Sequence, residues 1–202
     1  MSIIIGSEVS LNQMKSLDNF VKESTKDFDE SHNHEHAEIV YLHTMDIAKS
    51  LGKPYAEDIL TYASKLHDVR DHKYPNSISQ EKLQTFVYQE LGQIKGNKVL
   101  NIIENVSYSK EVAGKCPNLG ELEEYLTIIR DADRLEALGE IGLKRAIQIT
   151  EIRGGKIPED VIKHAYEKLL RLYPEYYIKT SRGRELALPR HQIIVNYVNS
   201  NK

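Results

Sequence analysis

A chain of 202 residues, 40% hydrophobic and 28% charged, has the balance of an ordinary soluble globular protein and is long enough for one sizeable core. Its formal net charge of -3, with 27 Lys and Arg dispersed along it, excludes a basic tail and any global attraction for nucleic acid or an acidic membrane. The single cysteine, Cys116, permits no intrachain disulfide framework, and the stretch from Met1 to Gly6 reads as too short for a signal peptide or span, so the expected setting is cytoplasmic.

The apolar spacing is helical nearly throughout. Val9, Met14, Leu17, Phe20 and Val21 predict a first helix. His36, Ile39, Val40, His43, Ile47 and Leu51 share one face of a second, which Gly52 ends. Pro54 suits the first turn of a third helix that runs through Ile59, Leu60, Ala63 and Leu66 to His67. Residues 71–77 read as a loop. Ser77 and Gln80 then have capping-box spacing before Leu83, Phe86, Val87 and Leu91. Val99 to Val106 gives another stripe, and Gly114, Pro117, Asn118 and Gly120 mark a loop holding Cys116. Leu122 to Leu135 predicts a long buried helix. Ile141 to Ile152 predicts another, broken at Gly154-Gly155. Pro158 starts the next, and a last helix covers about residue 189 to the end. With no strand alternation, repeat or long linker, the expected fold class is an all-α, compact multi-helix bundle forming a single domain over 1–202.

Ligand-type residues fall on these apolar faces. His67-Asp68 closes the third helix where the chain turns out of the core. Adjacent helical residues point about 100° apart, yet near a helix end both can reach one ion. His36 lies on the apolar face one helix earlier. Asp133 lies near the stripe of Ile129, Ala132 and Leu135, where a carboxylate is costly unless it is paired or binds a metal. Imidazole and carboxylate together suit a borderline-to-hard divalent cation: Mn, Fe, Co, Ni, Mg or Zn. His32 and His34 sit close by; a role near the site or an exposed position is the simpler reading for both. The His32-x-His34-x-His36 run lacks the His-Glu-x-x-His spacing of zinc proteases.

The order His36, His67-Asp68, Asp133 resembles the HD-domain metal-dependent phosphohydrolase superfamily, and most closely its small nucleotide-hydrolysing branch. That branch has a pattern like Asp-x-Ser-His-Asp-x-x-His-x-x-Arg-Val, where this chain reads Asp29-Glu30-Ser31-His32-Asn33-His34-Glu35-His36-Ala37-Glu38-Ile39-Val40. His-Asp-x-x-Asp-x-Lys-Phe is matched by His67-Asp68-Val69-Arg70-Asp71-His72-Lys73-Tyr74. Ser107-Tyr108-Ser109, the run from Asp131 to Gly142 and the run from Thr180 to Ala187 also match, so the resemblance covers about residues 25 to 195. Asn33, Ile39 and Tyr74 depart from the pattern, and none of them is a proposed ligand.

The resemblance implies one divalent metal ion held by His36, His67, Asp68 and Asp133. It implies that Asp71, with Asp68, acts on the attacking water. Lys73 holds a substrate phosphate, and Arg70, Lys110 and Arg134 are further candidates for phosphate charge. Tyr108 is a candidate for stacking on a base, and Asp131 a candidate neighbour of the site or partner of Arg134. The implied activity releases phosphate or pyrophosphate from a (deoxy)nucleotide, with a small-molecule partner and neither nucleic acid nor membrane. An exposed helix face and a homo-oligomer interface read alike in sequence. A guanosine tetraphosphate hydrolase is the alternative enzyme, but its His-Asp-x-x-Glu-Asp pattern is not met at Asp71-His72. A non-catalytic nucleotide-binding scaffold is the other alternative; such scaffolds usually lose ligands, and all four are kept here.

Overall fold

A computed structural model describes residues 9–29, 32–71 and 74–201. All regular structure among them is helical, in agreement with the predicted all-α class. The helices are α1 (Leu11–Thr25), α2 (His34–Ser50), α3 (Glu57–Leu66), α4 (Gln80–Ile103), α5 (Tyr108–Val112), α6 (Glu123–Glu136), α7 (Gly139–Ile152), α8 (Glu159–Glu167) and α9 (Ser181–Ser200). The chain forms two compact units, one ending at Arg130 and the other beginning at Asp131, so the boundary falls inside α6. No helix among the described residues is long and apolar enough to cross a membrane.

In the first unit α1 opens with a full capping box: Ser10 Oγ accepts from Gln13 N, and the Gln13 side chain accepts from Ser10 N. Helix α3 packs on α1, α2 and α4. Leu17, Val21, Val40, Ile47, Leu60, Ala63 and Leu66 are almost fully buried. Phe20 stacks on Phe86 at 3.8 Å, and Glu90 accepts from both Ser16 Oγ (2.7 Å) and Tyr62 Oη (2.9 Å), which links α1, α3 and α4. Two apolar stripes of the sequence fall on α4, which bends between them at Gly92, whose φ of 72° a residue with a Cβ adopts only under strain.

Several predicted boundaries move. Helix α3 begins at Glu57 behind Ala56, so Pro54 lies upstream of the helix and not in its first turn. The N-cap of α4 is Ser79, whose hydroxyl accepts from Lys82 N, and not Ser77. Pro158 is the N-cap of α8. The last helix starts at Ser181, eight residues before the predicted start near residue 189, with Pro189 inside it.

In the second unit α7 packs on α8 and α9. The start of α9 is anchored by Asp131. This fully buried carboxylate accepts from Lys179 N at 3.0 Å and Thr180 N at 2.7 Å. Thr180 caps α9 by accepting from Gly183 N. A Cβ at Gly183 would stand 2.7 Å from Thr180 Oγ1 and 2.9 Å from Asp131 Oδ2, so a glycine is needed there. Arg184 Nη1 donates to the carbonyls of Tyr173 and Ile178. The run from Thr180 to Arg184 is thus a folding device of this unit.

Candidate metal centre

Helices α2 and α3 bring together three of the sequence-predicted ligands. Asn33 caps α2, accepting from His36 N at 3.0 Å. Asparagine and aspartate cap comparably, so this departure from the family pattern leaves the local fold intact. His36 then sits one turn into α2 with its side chain 4% exposed. His67 is the C-cap of α3, which frees Asp68 from helical geometry. His36 Nε2 lies 3.6 Å and His67 Nε2 3.2 Å from the same oxygen, Asp68 Oδ2. Ligand atoms of the three residues all stand within 4.8 Å of one another. With bonds of about 2.0–2.2 Å, ligands sharing one ion stand roughly 3–4 Å apart, so the spacing fits a divalent cation.

The tautomer fits as well. His67 Nδ1 is 2.7 Å from the Ser64 carbonyl oxygen, which can only accept. Nδ1 therefore carries a proton, and in the neutral ring the Nε2 lone pair points toward Asp68 and the centre. Burial alone raises the Asp68 carboxyl; when the rings are protonated, the charge of His67 and hydrogen bonds from His67 and His36 outweigh it and hold the group well below the usual carboxylate range. Its side chain is 28% exposed, so the cluster is closed on the imidazole side and open on the carboxylate side.

Asp71 lies buried just beyond Asp68. His32 Nε2 is 3.9 Å from Asp71 Oδ2, and His32 Nδ1 is 3.2 Å from Asp29 Oδ1. Tyr74 Oη donates to Asp29 Oδ2 at 2.6 Å and stands 3.0 Å from His32 Nδ1, while its ring stacks on Phe28. Burial, then the hydrogen bond to Asp29, pushes the Tyr74 phenol up, which keeps it a donor. The phenylalanine of the family pattern has no hydroxyl for these contacts. Sequence reading missed this network because its members come from both sides of α2 and α3; the Asp29-x-x-His32 spacing was its one visible trace.

The remaining sequence-predicted residues stand as follows. Arg70, two residues after Asp68 in the chain, is exposed, and Tyr108 is half-buried at the start of α5. Lys110 Nζ donates to the Glu104 carbonyl at 3.0 Å, at the end of α4. Lys73 lies outside the described residues. In the second unit Asp133 is half-buried on α6, and the buried Arg134 donates to the Tyr177 carbonyl at 2.6 Å. The sequence reading also missed Arg130. It is buried, donates from Nε and Nη2 to the Asn105 carbonyl and pairs with Glu111 at 3.2 Å, fixing α5.

No family model matches the chain. It is 28% identical over 200 residues to YpgQ, an uncharacterized protein of Bacillus subtilis, across 93% of this chain and 91% of that protein. The crystal structure of YpgQ is similar with a TM-score of 0.73 at 24% identity, over 94% of this chain and 95% of YpgQ. YpgQ is also known in complex with ADP. A Lactobacillus plantarum protein gives a TM-score of 0.78 at 23% identity over 96% of both chains. An HD-superfamily hydrolase from Bacillus thuringiensis gives 0.69 at 24% identity over 94% of both. The chain has the all-α fold of the HD-superfamily hydrolases.

Proposed function

We propose that this chain is a metal-dependent phosphohydrolase that releases phosphate or pyrophosphate from a (deoxy)nucleotide. The observation that carries the reading is the convergence of His36, His67 and Asp68, with the His67 tautomer set by Ser64. The resemblance in sequence adds Asp133 as the fourth ligand, and its extent supports one HD domain over the whole chain. The ADP complex of YpgQ supports a nucleotide as the ligand class. A single cysteine and the dispersed basic residues are in keeping with a cytoplasmic protein that takes a small molecule and not nucleic acid. The exposed helix faces leave room for a homo-oligomer.

A divalent ion at this centre would polarise a phosphoryl oxygen and make bound water more acidic. The chain's own residues supply the rest. His36 and His67 present neutral nitrogens, and Asp68 supplies compensating charge. Asp71 accepts the proton of the attacking water, with His32 and Asp29 holding it in place. Arg70 and Lys73 offset charge that builds on the phosphoryl oxygens, and Tyr108 offers a ring to the base. Lys110 and Arg134 are the further phosphate contacts that the resemblance implies, and each also donates to a carbonyl.

The test is release of phosphate and of pyrophosphate from a panel of nucleotides by metal-stripped protein, with Mn, Co, Fe, Mg, Ni or Zn added back. Metal-dependent release from any nucleotide supports the reading, and the leaving group separates phosphatase from pyrophosphohydrolase. Stoichiometric metal binding without release from any nucleotide would favour the scaffold instead. Asp71→Asn is expected to keep metal affinity and lower kcat on the order of a hundredfold or more; unchanged turnover would remove Asp71 from the chemistry.

Metal affinity is expected to weaken as pH falls. Asp68 stays ionised through the neutral range because its carboxyl is held low. The loss therefore follows protonation of the imidazole ligands, which must be neutral to bind the ion. Isothermal titration with Mn2+ from pH 8 to pH 5.5 checks this, and a flat profile would mean that imidazoles are not ligands.

A further inference from the structure

A second group of ligand-type residues lies on the same helices. Asp18 of α1 and His34 and Glu38 of α2 offer ligand atoms within 4.8 Å of one another. This group already holds a cation. Lys65 of α3 is 97% buried by side-chain area, and its ammonium donates to Asp18 Oδ1 at 2.7 Å and also to Glu38 Oε2. It lies 4.9 Å from the centre of the Tyr41 ring of α2. A buried lysine is rare unless paired, and here one ammonium joins three helices.

Its place in the sequence gives the cluster a second meaning. Lys65 is two residues before His67, and Glu38 is two residues after His36. The ion pair therefore crosses from α2 to α3 within one turn of the residues that would share an ion. We propose that Lys65, with Glu38 and Asp18, is a positioning clamp that sets the register of α2 against α3, and so the separation of His36 from His67 and Asp68. This rests on the metal reading above. The ammonium takes the cation's place in the second cluster, which leaves the first to take a metal among the described residues.

Register matters because an ion tolerates little change in ligand spacing. Groups that orient metal ligands from outside the coordination sphere typically change affinity about 10–100-fold when removed. The sign separates positioning from charge. Deleting a nearby positive charge, taken as electrostatics alone, tightens binding of a cation. Loss of register weakens it.

The experiment is Mn2+ binding by titration calorimetry to the full chain, with the electron paramagnetic resonance spectrum of the bound ion. Parent, Lys65→Met, Lys65→Arg and Glu38→Gln are compared at a temperature where far-ultraviolet circular dichroism shows each to be folded. Lys65→Met is expected to bind Mn2+ about tenfold more weakly with a broadened spectrum. Lys65→Arg, which keeps the cation, should recover most of the loss. Glu38→Gln should fall between. If Lys65→Met does not fold, Glu38→Gln decides, and parent-like affinity and spectrum in it overturn the clamp. Equal or tighter binding by folded Lys65→Met overturns it as well. A parent that binds none of the tested ions overturns the metal reading and the clamp with it, whereas a binding parent beside an unaffected Lys65→Met removes the clamp alone.

Discussion

His67→Ala and Asp68→Ala are each expected to abolish metal-dependent nucleotide hydrolysis while leaving the helical fold in place. Both side chains meet at one point: His67 Nε2 is 3.2 Å from Asp68 Oδ2. Removing either takes away one donor and also the group that holds its neighbour. Without Asp68 the two buried imidazoles lose the carboxylate oxygen that both approach, and a cation there is repelled once either ring is protonated. Without His67 the Asp68 carboxylate loses the nearer of the two imidazoles beside it. A metal supplies several kcal/mol of charge stabilisation to a phosphoryl transition state, so the loss in kcat/KM should be on the order of a thousandfold or more. Equilibrium dialysis with Mn2+, turnover of the best nucleotide and circular dichroism check the three parts. A folded His67→Ala protein that hydrolyses at the parent rate would show that the centre lies elsewhere. The same assays on Asp133→Ala test the ligand that the sequence resemblance adds.

The second large effect concerns stability. Asp131→Ala should lower stability by about 2–5 kcal/mol, because two backbone N–H groups, of Lys179 and Thr180, lose their buried acceptor at the start of α9. For a chain of this size that is a fall in melting midpoint of roughly 5–15 °C. Gly183→Ala should also destabilise, since the new Cβ meets Asp131 and Thr180 at under 3 Å. The dependence on pH has a definite sign. Burial pushes the Asp131 carboxyl up, against the pull of Thr180, Lys179 and the Arg134 charge. The native state thus binds this proton more tightly than the unfolded chain, and the contribution of Asp131 falls as pH rises from the ordinary carboxylate range through its raised value. Asp68 runs the other way: its contribution is present above the ordinary range and is lost as pH falls. Denaturation midpoints of parent and Asp131→Asn between pH 3 and pH 7 separate the two. If Asp131→Ala melts with the parent, this carboxylate does not anchor α9.

Local chemistry made much of the fold legible. The 3.6-residue period of Leu17, Phe20 and Val21, or of Ile59, Leu60, Ala63 and Leu66, predicts helices because burying one stripe of a helix is the cheapest use of such a pattern. Gly52 and the pair Gly154-Gly155 stop helices for backbone reasons that act within a few residues. The same logic reached the centre. A His-Asp pair at the end of an apolar helix, with a histidine on the face of the helix before it, brings His36, His67 and Asp68 to within ligand distance. Where local signals competed, sequence reading slipped. The Ser77 to Gln80 spacing suggests a cap two residues before Ser79, which caps α4, and the last helix begins at Ser181 rather than near residue 189.

Tertiary structure alone decided which polar side chains are inside. Periodicity assigns an apolar face but does not name what meets it from 27 or 47 residues away, the separations of Lys65 from Glu38 and Asp18. A lysine reads as a surface residue until two carboxylates from other helices make its burial tolerable. Asp131 reads as a neighbour of the site or a partner of Arg134, and only the fold adds the backbone N–H groups of Lys179 and Thr180 that donate to it. His32 gains a place beside Asp71 only because Tyr74 and Asp29 close around it. The sequence by itself determined the helices and the ligand-type residues, because both follow from short-range chemistry. The partners of buried charge followed only from the packing of helices, because a charge leaves water only where the fold supplies its counterpart.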